Sequence, residues 1–168
     1  MVMMVQSDRK EGCNMGRRQD KAVELFKMGY NCSQAVLGAF ADLYDLDLEQ
    51  ALRLSCSFGG GIGRMREVCG AASGMFMVVG LESGTTEGTD AEGKKENYDV
   101  VQKLAEEFKK RSGGSIICRE LLGLETKKDF SETTPESRTS EYYKKRPCVE
   151  LVQEAAAILE EYLGLEKA

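Results

Sequence analysis

The 168-residue chain contains no histidine and no tryptophan. Without an imidazole, no Ser-His-Asp triad, Cys-His dyad, His-ligated haem or HExxH zinc site can be built. Any chemistry must run on cysteine, carboxylate, backbone or a bound cofactor. Excess positive charge is also missing, with 23 Lys+Arg against 28 Asp+Glu and a formal net charge of −5. That sign argues against nucleic acid as a partner. The basic residues cluster only at Arg17-Arg18 and Lys144-Lys145-Arg146. No apolar run approaches the ~20 residues of a membrane span, so no membrane association is expected. Met1 to Val5 is too short for a signal peptide or an anchor. The expected compartment is the cytoplasm, where paired disulfides are uncommon and the six cysteines lean towards metal or redox chemistry.

Strand-like alternation is absent beyond about four residues, and apolar residues recur instead at helical spacing. The expectation is one all-α domain, a bundle of about six to seven helices over 17–168, behind a mobile tail at 1–16. A first helix carries Ala22, Val23, Leu25, Phe26 and Met28 and stops at Gly29. Asn31 caps a second that runs to about Tyr44, and Asp47 caps a third that ends before Phe58-Gly-Gly-Gly-Ile-Gly63. A fourth spans about Val68 to Ser83, with Phe76, Val79 and Leu81 inward. Gly84 to Lys94 reads as a loop, Asn97 to Lys110 as an amphipathic helix, and Ile117 to Leu122 as a short segment. The polar stretch 124–146 reads as a long loop, a lid or a docking segment around Tyr142 and Tyr143. Pro147 stands at the start of a last helix whose stripe is Val149, Val152, Ala155, Ala156, Leu159 and Leu163.

Four cysteines share a place in this pattern. Cys32 follows the Asn31 cap, Cys69 opens the fourth helix, Cys118 opens the short segment and Cys148 follows Pro147. Each falls in or near a first turn, where free amides and the helix dipole favour a thiolate. Each also lies on the apolar stripe of its helix. If successive helices alternate up and down, all four converge on one rim of the bundle. Cys56, near a helix C-terminus, reads as a packing residue at that rim, and Cys13 lies in the tail.

Such thiols have several uses. They can hold a metal centre, although no CxxC pair supplies the usual sequence-local signature. Gly59, Gly60, Gly61, Gly63 and Gly70 favour that use, because backbone can approach a bound group there and donate N–H bonds to sulfur. Arg64 and Arg119 stand near the rim as cations, with solvated surface as the plainer role. Two thiols can instead pair reversibly as a disulfide, or all four can be small buried hydrophobes. Phosphate binding by the glycine loop is disfavoured, since neither GxGxxG nor GxxxxGK[ST] occurs.

Cys69-Gly70-Ala71-Ala72-Ser73-Gly74 fits CGAxxG. Together with Gly29-Tyr30-Asn31-Cys32, Phe58 to Arg64, Cys118-Arg119-Glu120-Leu121-Leu122-Gly123 and Cys148, the chain resembles the redox-active protein family labelled C_GCAxxG_C_C, from about Arg18 to Leu163. The family's four named cysteines correspond by motif to Cys32, Cys69, Cys118 and Cys148. The resemblance implies a small helical redox protein or oxidoreductase component. A similar module in split-Soret cytochromes looks like an iron–sulfur domain, but CxxCH and histidine are lacking here, so covalent haem is not carried over. The resulting expectation is an iron–sulfur cluster, [2Fe-2S] by preference, held by those four cysteines for electron transfer or redox sensing. A thiol–disulfide switch without cofactor, a structural zinc site and a helical interaction module are the alternatives. An unidentified redox partner protein is expected, and a homo-oligomer is compatible with this reading.

Overall fold

The computed structural model describes residues 17–124 and 130–165. Among the described residues there are eight α-helices and no strand. They are α1 (Arg18–Lys27), α2 (Cys32–Phe40), α3 (Leu48–Cys56), α4 (Gly70–Ser83), α5 (Ala91–Arg111), α6 (Cys118–Leu121), α7 (Ser140–Lys145) and α8 (Cys148–Leu163). A 3-10 turn, Ala41–Tyr44, continues α2 and ends at Asp45 in the left-handed conformation. The all-α expectation holds, and six of the eight helices have seven or more residues. The expected tail at 1–16 and part of the expected long loop lie outside the described residues.

Capping explains where the helices begin. Asn31 makes a full capping box on α2, its side chain accepting from the Gln34 amide while the Gln34 side chain accepts from Asn31 N. Asp47 caps α3 by accepting from Gln50 N. Asp90 caps α5 by accepting from the Gly93 amide, so that helix starts well before Asn97 and takes in part of the segment read as a loop. Thr139 caps α7 inside the stretch 124–146, where the low apolar content had hidden a helix.

The core forms around α2, which packs against α1, α3, α4 and α8. Phe26, Phe40, Phe108, Leu37, Met75, Ile158 and Leu159 are wholly buried there. The inward face of α4 is Ala71, Ala72, Met75, Val78 and Val79; Leu81, expected inside, is exposed. The α2–α4 crossing is close because of its glycines. A Cβ at Gly74 would lie 2.9 Å from both Ser33 O and Val36 Cβ, and one at Gly70 would lie 3.1 Å from Cys32 Cβ. Small residues at i and i+4 thus let two helix starts, each bearing a cysteine, sit side by side. At the other end of α8, the buried Glu160 carboxylate accepts from both Gln19 N and Gln19 Nε2 and ties α8 to the start of α1.

Candidate functional site

Cys32, Cys118 and Cys148 are each the first residue of a helix, and Cys69 is the N-cap of α4. All four line one cavity of about 380 Å³. The same walls contain Gly59, Gly60, Gly61, Gly63 and Gly70. Cys56 is at this cavity too, but it is exposed and does not pack in the core as expected. Cys13 lies outside the described residues.

Backbone hydrogen bonds fix two of the thiols to each other. Cys69 N donates to Ile116 O at 2.7 Å and Cys118 N donates to Glu67 O at 2.6 Å, on either side of an isolated Val68–Ile117 antiparallel bridge. The segment before them is a tight loop in which Gly60, Gly61, Ile62, Gly63, Arg64 and Arg66 all have positive φ. A β-branched residue at φ 65° is strained, and Ile62 is held there by the surrounding bonds Ile62 N to Phe58 O and Gly63 N to Ser57 O. Gly61 is packed against the thiol wall, since a Cβ there would stand 2.6 Å from Cys118 Cβ and 2.8 Å from the backbone of Arg66 and Glu67. Among the described residues, the Gly60 and Gly61 amides have no protein acceptor, so both remain able to donate.

The thiols are not equivalent. Burial pushes the Cys69 thiol up to about 12, and the Ala72 and Ala71 amides at the helix start oppose this without overcoming it. Burial also raises Cys118, against the pull of Arg66. Cys32 is raised chiefly because it hydrogen-bonds Cys148, and then by its own burial. Cys148 alone is lowered, by that same bond from Cys32 and, against the cost of burial, by Arg146, Arg66 and Arg138. The expectation that every helix start would favour a thiolate is therefore corrected for three of the four. A helix dipole is worth about 0.3–1 kcal/mol at an exposed end, and removing a thiolate from water costs more than that here.

Two of the residues that charge the cavity, Arg66 and Arg138, were not singled out in the sequence. Arg64, Arg66, Arg138 and Arg146 line the cavity, with Glu136 as the one carboxylate in its walls among the described residues. Arg66 is only 7 % exposed and directs Nη1 at Cys118 Sγ, 3.7 Å away. Arg138 lies across the Phe26 ring at 4.3 Å and donates to the Phe26 and Tyr30 carbonyls, which fastens the 130–139 strap to the end of α1. Arg146 pairs with Glu136 and stacks on Tyr142. Of the two cations expected at the rim, Arg64 lines the cavity, while Arg119 turns to Glu67 at 2.9 Å and is not part of its walls.

Among the described residues, no group of three or more Cys, Asp or Glu side chains is close enough to hold a single metal ion. The thiols ring the cavity and do not meet at a point. No helix of the described residues is long and apolar enough to cross a membrane. No curated protein and no solved structure matches the chain at the significance required of a relative. Residues 30–162 do match a family model described as "Putative redox-active protein (C_GCAxxG_C_C)", a span that contains all four cysteines, and the chain belongs to that family.

Proposed function

We propose that this redox-active family member binds an iron–sulfur cluster, in the [2Fe-2S] form, through Cys32, Cys69, Cys118 and Cys148, and works as an electron-transfer or redox-sensing protein with a partner protein in the cytoplasm. The observation that carries this reading is Arg66, a buried guanidinium aimed at a thiol with no carboxylate partner among the described residues. An unanswered buried charge is costly. Four deprotonated thiols around an iron–sulfur core bring the negative charge that answers it.

The donor set fits such a group. It is all sulfur, it surrounds a volume and not a point, and it has a surplus of guanidinium over carboxylate in its walls. When bound, the cluster supplies one-electron chemistry. The chain's own residues do the rest. Gly60 and Gly61 offer free amides to sulfur, Arg66 and Arg146 offset thiolate charge, and Leu121 and Leu151 keep one wall apolar. Each of these tunes a potential through hydrogen bonding or dielectric. A structural zinc ion is favoured less, because it needs its ligands at one point.

The test is iron and acid-labile sulfide content, with the visible spectrum, of protein purified without air. About two irons and two sulfides per chain, lost in the quadruple Cys→Ser variant, is the expected result. Protein that stays colourless after anaerobic reconstitution overturns it.

One observation favours a second reading. Cys32 and Cys148 act on each other's ionisation, and of the four thiols Cys148 is the one that ionises first. In this reading Cys148 attacks a partner's disulfide, and Cys32 then resolves the mixed disulfide. The partner leaves with two thiols, and a Cys32–Cys148 disulfide remains. Mass spectrometry after reaction with a disulfide substrate would show that one pairing, and scattered pairing would exclude it.

A further inference from the structure

The four guanidiniums of the cavity do not all face the same way. Arg66 is aimed at Cys118 and Arg138 at the Phe26 and Tyr30 carbonyls, whereas Arg64 turns toward Glu136 on the strap. Arg64 is folded back over Gly60, where a Cβ would meet its Cγ at 2.8 Å. Its Nη1 is buried and has no hydrogen-bond partner among the described residues. Its Nη2 is 3.9 Å from the Glu136 carboxylate, too long for a hydrogen bond. Arg146 holds the same Glu136 oxygen at close range.

One carboxylate is thus divided between two guanidiniums, and Arg64 has the weaker share. A guanidinium offers five donors in a fixed fork. Leaving one of its nitrogens buried and unmatched costs free energy that an anion with more oxygens would recover. Fork geometry suits planar or tetrahedral oxyanions in particular.

We propose that Arg64 and Arg146 form a binding seat for a small phosphate- or sulfate-like oxyanion, and that Glu136 is its built-in competitor. The seat opens on the cavity that the cysteines line, so an anion held there is a candidate substrate or effector of the redox centre. Glu136 belongs to the strap, so an incoming anion displaces one of the strap's polar anchors while Arg138 keeps its own. This site is built from the arginines and the glutamate and does not require the cluster reading, although Arg146 also acts on Cys148.

Isothermal titration of the purified chain with inorganic phosphate, and separately with sulfate, at constant ionic strength in chloride buffer tests it. Saturable one-to-one binding is expected with at least one of the two anions. Glu136→Gln, which removes the competing charge, should tighten binding about tenfold, equivalent to about 1.4 kcal/mol. Arg64→Met should weaken it at least about tenfold, and Arg64→Lys should fall between, because charge is kept and the fork is lost. Arg53→Met, an exposed α3 residue, should bind like the parent. No saturable binding in both the parent and Glu136→Gln overturns the proposal, as does parent-like affinity in Arg64→Met. If Arg64→Met does not fold, Glu136→Gln decides alone, and affinity equal to or weaker than the parent's overturns it. Iron and sulfide are assayed on the same samples, so failure of the cluster reading shows separately.

Discussion

Arg66 Nη1 and Cys118 Sγ lie 3.7 Å apart, a guanidinium and a thiol buried together with no carboxylate between them. In the metal-free chain this arrangement is a burden, because burial raises the thiol while the cation beside it wants an anion. The pair becomes favourable when Cys118 is a thiolate. Under the cluster proposal, relief of that cost would be part of what drives binding.

Arg66→Met tests this directly. Removing the buried charge should leave metal-free protein as stable as the parent, or more stable by about 1 kcal/mol or more, since an apolar side chain of similar size replaces an unanswered ion. The same change should weaken iron retention about 10–100-fold, the usual penalty for losing a group that supports a metal ligand. Urea denaturation of the metal-free form and iron loss to a chelator measure the two effects. A variant that is destabilised and retains iron like the parent would contradict both.

The thiols also set a pH dependence. Cys69, held protonated to about 12, contributes stability that is fully present below the unfolded thiol value of about 8.5 and is lost as pH rises above it. Cys32 and Cys118, also raised, act in the same direction. Cys148 is lowered and has the opposite sign, with its contribution lost as pH falls through its folded value, below 8.5. The urea midpoint of reduced, metal-free protein should therefore decline between about pH 8.5 and 10, by up to about 1.4 kcal/mol per pH unit for each thiol kept protonated. Cys69→Ala should flatten that decline. An unchanged slope in Cys69→Ala, or a midpoint that rises over this range, would show that burial is not what holds the proton.

Two glycines of the strained loop should respond differently to alanine. Gly61 has φ +72° and no room for a Cβ, whereas Gly63 has φ +55° with its nearest neighbour, Ser57 O, at 3.9 Å. Gly63→Ala bears only the left-handed backbone cost of about 1–2 kcal/mol. Gly61→Ala adds collision with Cys118 Cβ and the Arg66–Glu67 backbone, for about 2–5 kcal/mol in all. Thermal melts of the two variants should separate clearly, and equal losses would show that close approach to Cys118 is not what requires glycine at position 61.

The positions of the four thiols were legible because helix starts leave local marks. Asn31 before Cys32, the glycines before Cys69 and Cys118, and Pro147 before Cys148 can each be read within a few residues. Their electrostatics were not legible, because burial is a property of the packed bundle. The dipole that acts on Cys69 is local, while the desolvation that outweighs it comes from the packed surroundings. Arg138 escaped notice for a related reason, and Arg146 was read only as part of a basic cluster. Both sit in or beside a polar, aperiodic stretch. The partners of Arg138, Phe26 and Tyr30, are distant in sequence. The nearby partners of Arg146, Glu136 and Tyr142, carry no local mark of the cavity they line. The early start of α5 was hidden by Gly93 in its first turn, which reads as a breaker until Asp90 is seen to accept from its amide.

The clamp that joins Cys69 to Cys118 through the Ile116 and Glu67 carbonyls has a consequence for biosynthesis. Those two thiols, with Cys32 beside Gly70, are carried by α2, α4 and α6. Cys148 arrives with α8, after all the other helices have been made. Because α8 also packs on α1, α2, α4 and α5, the four-thiol wall is complete only once α8 has been made and docked, so a group held by all four thiols can be seated only after that.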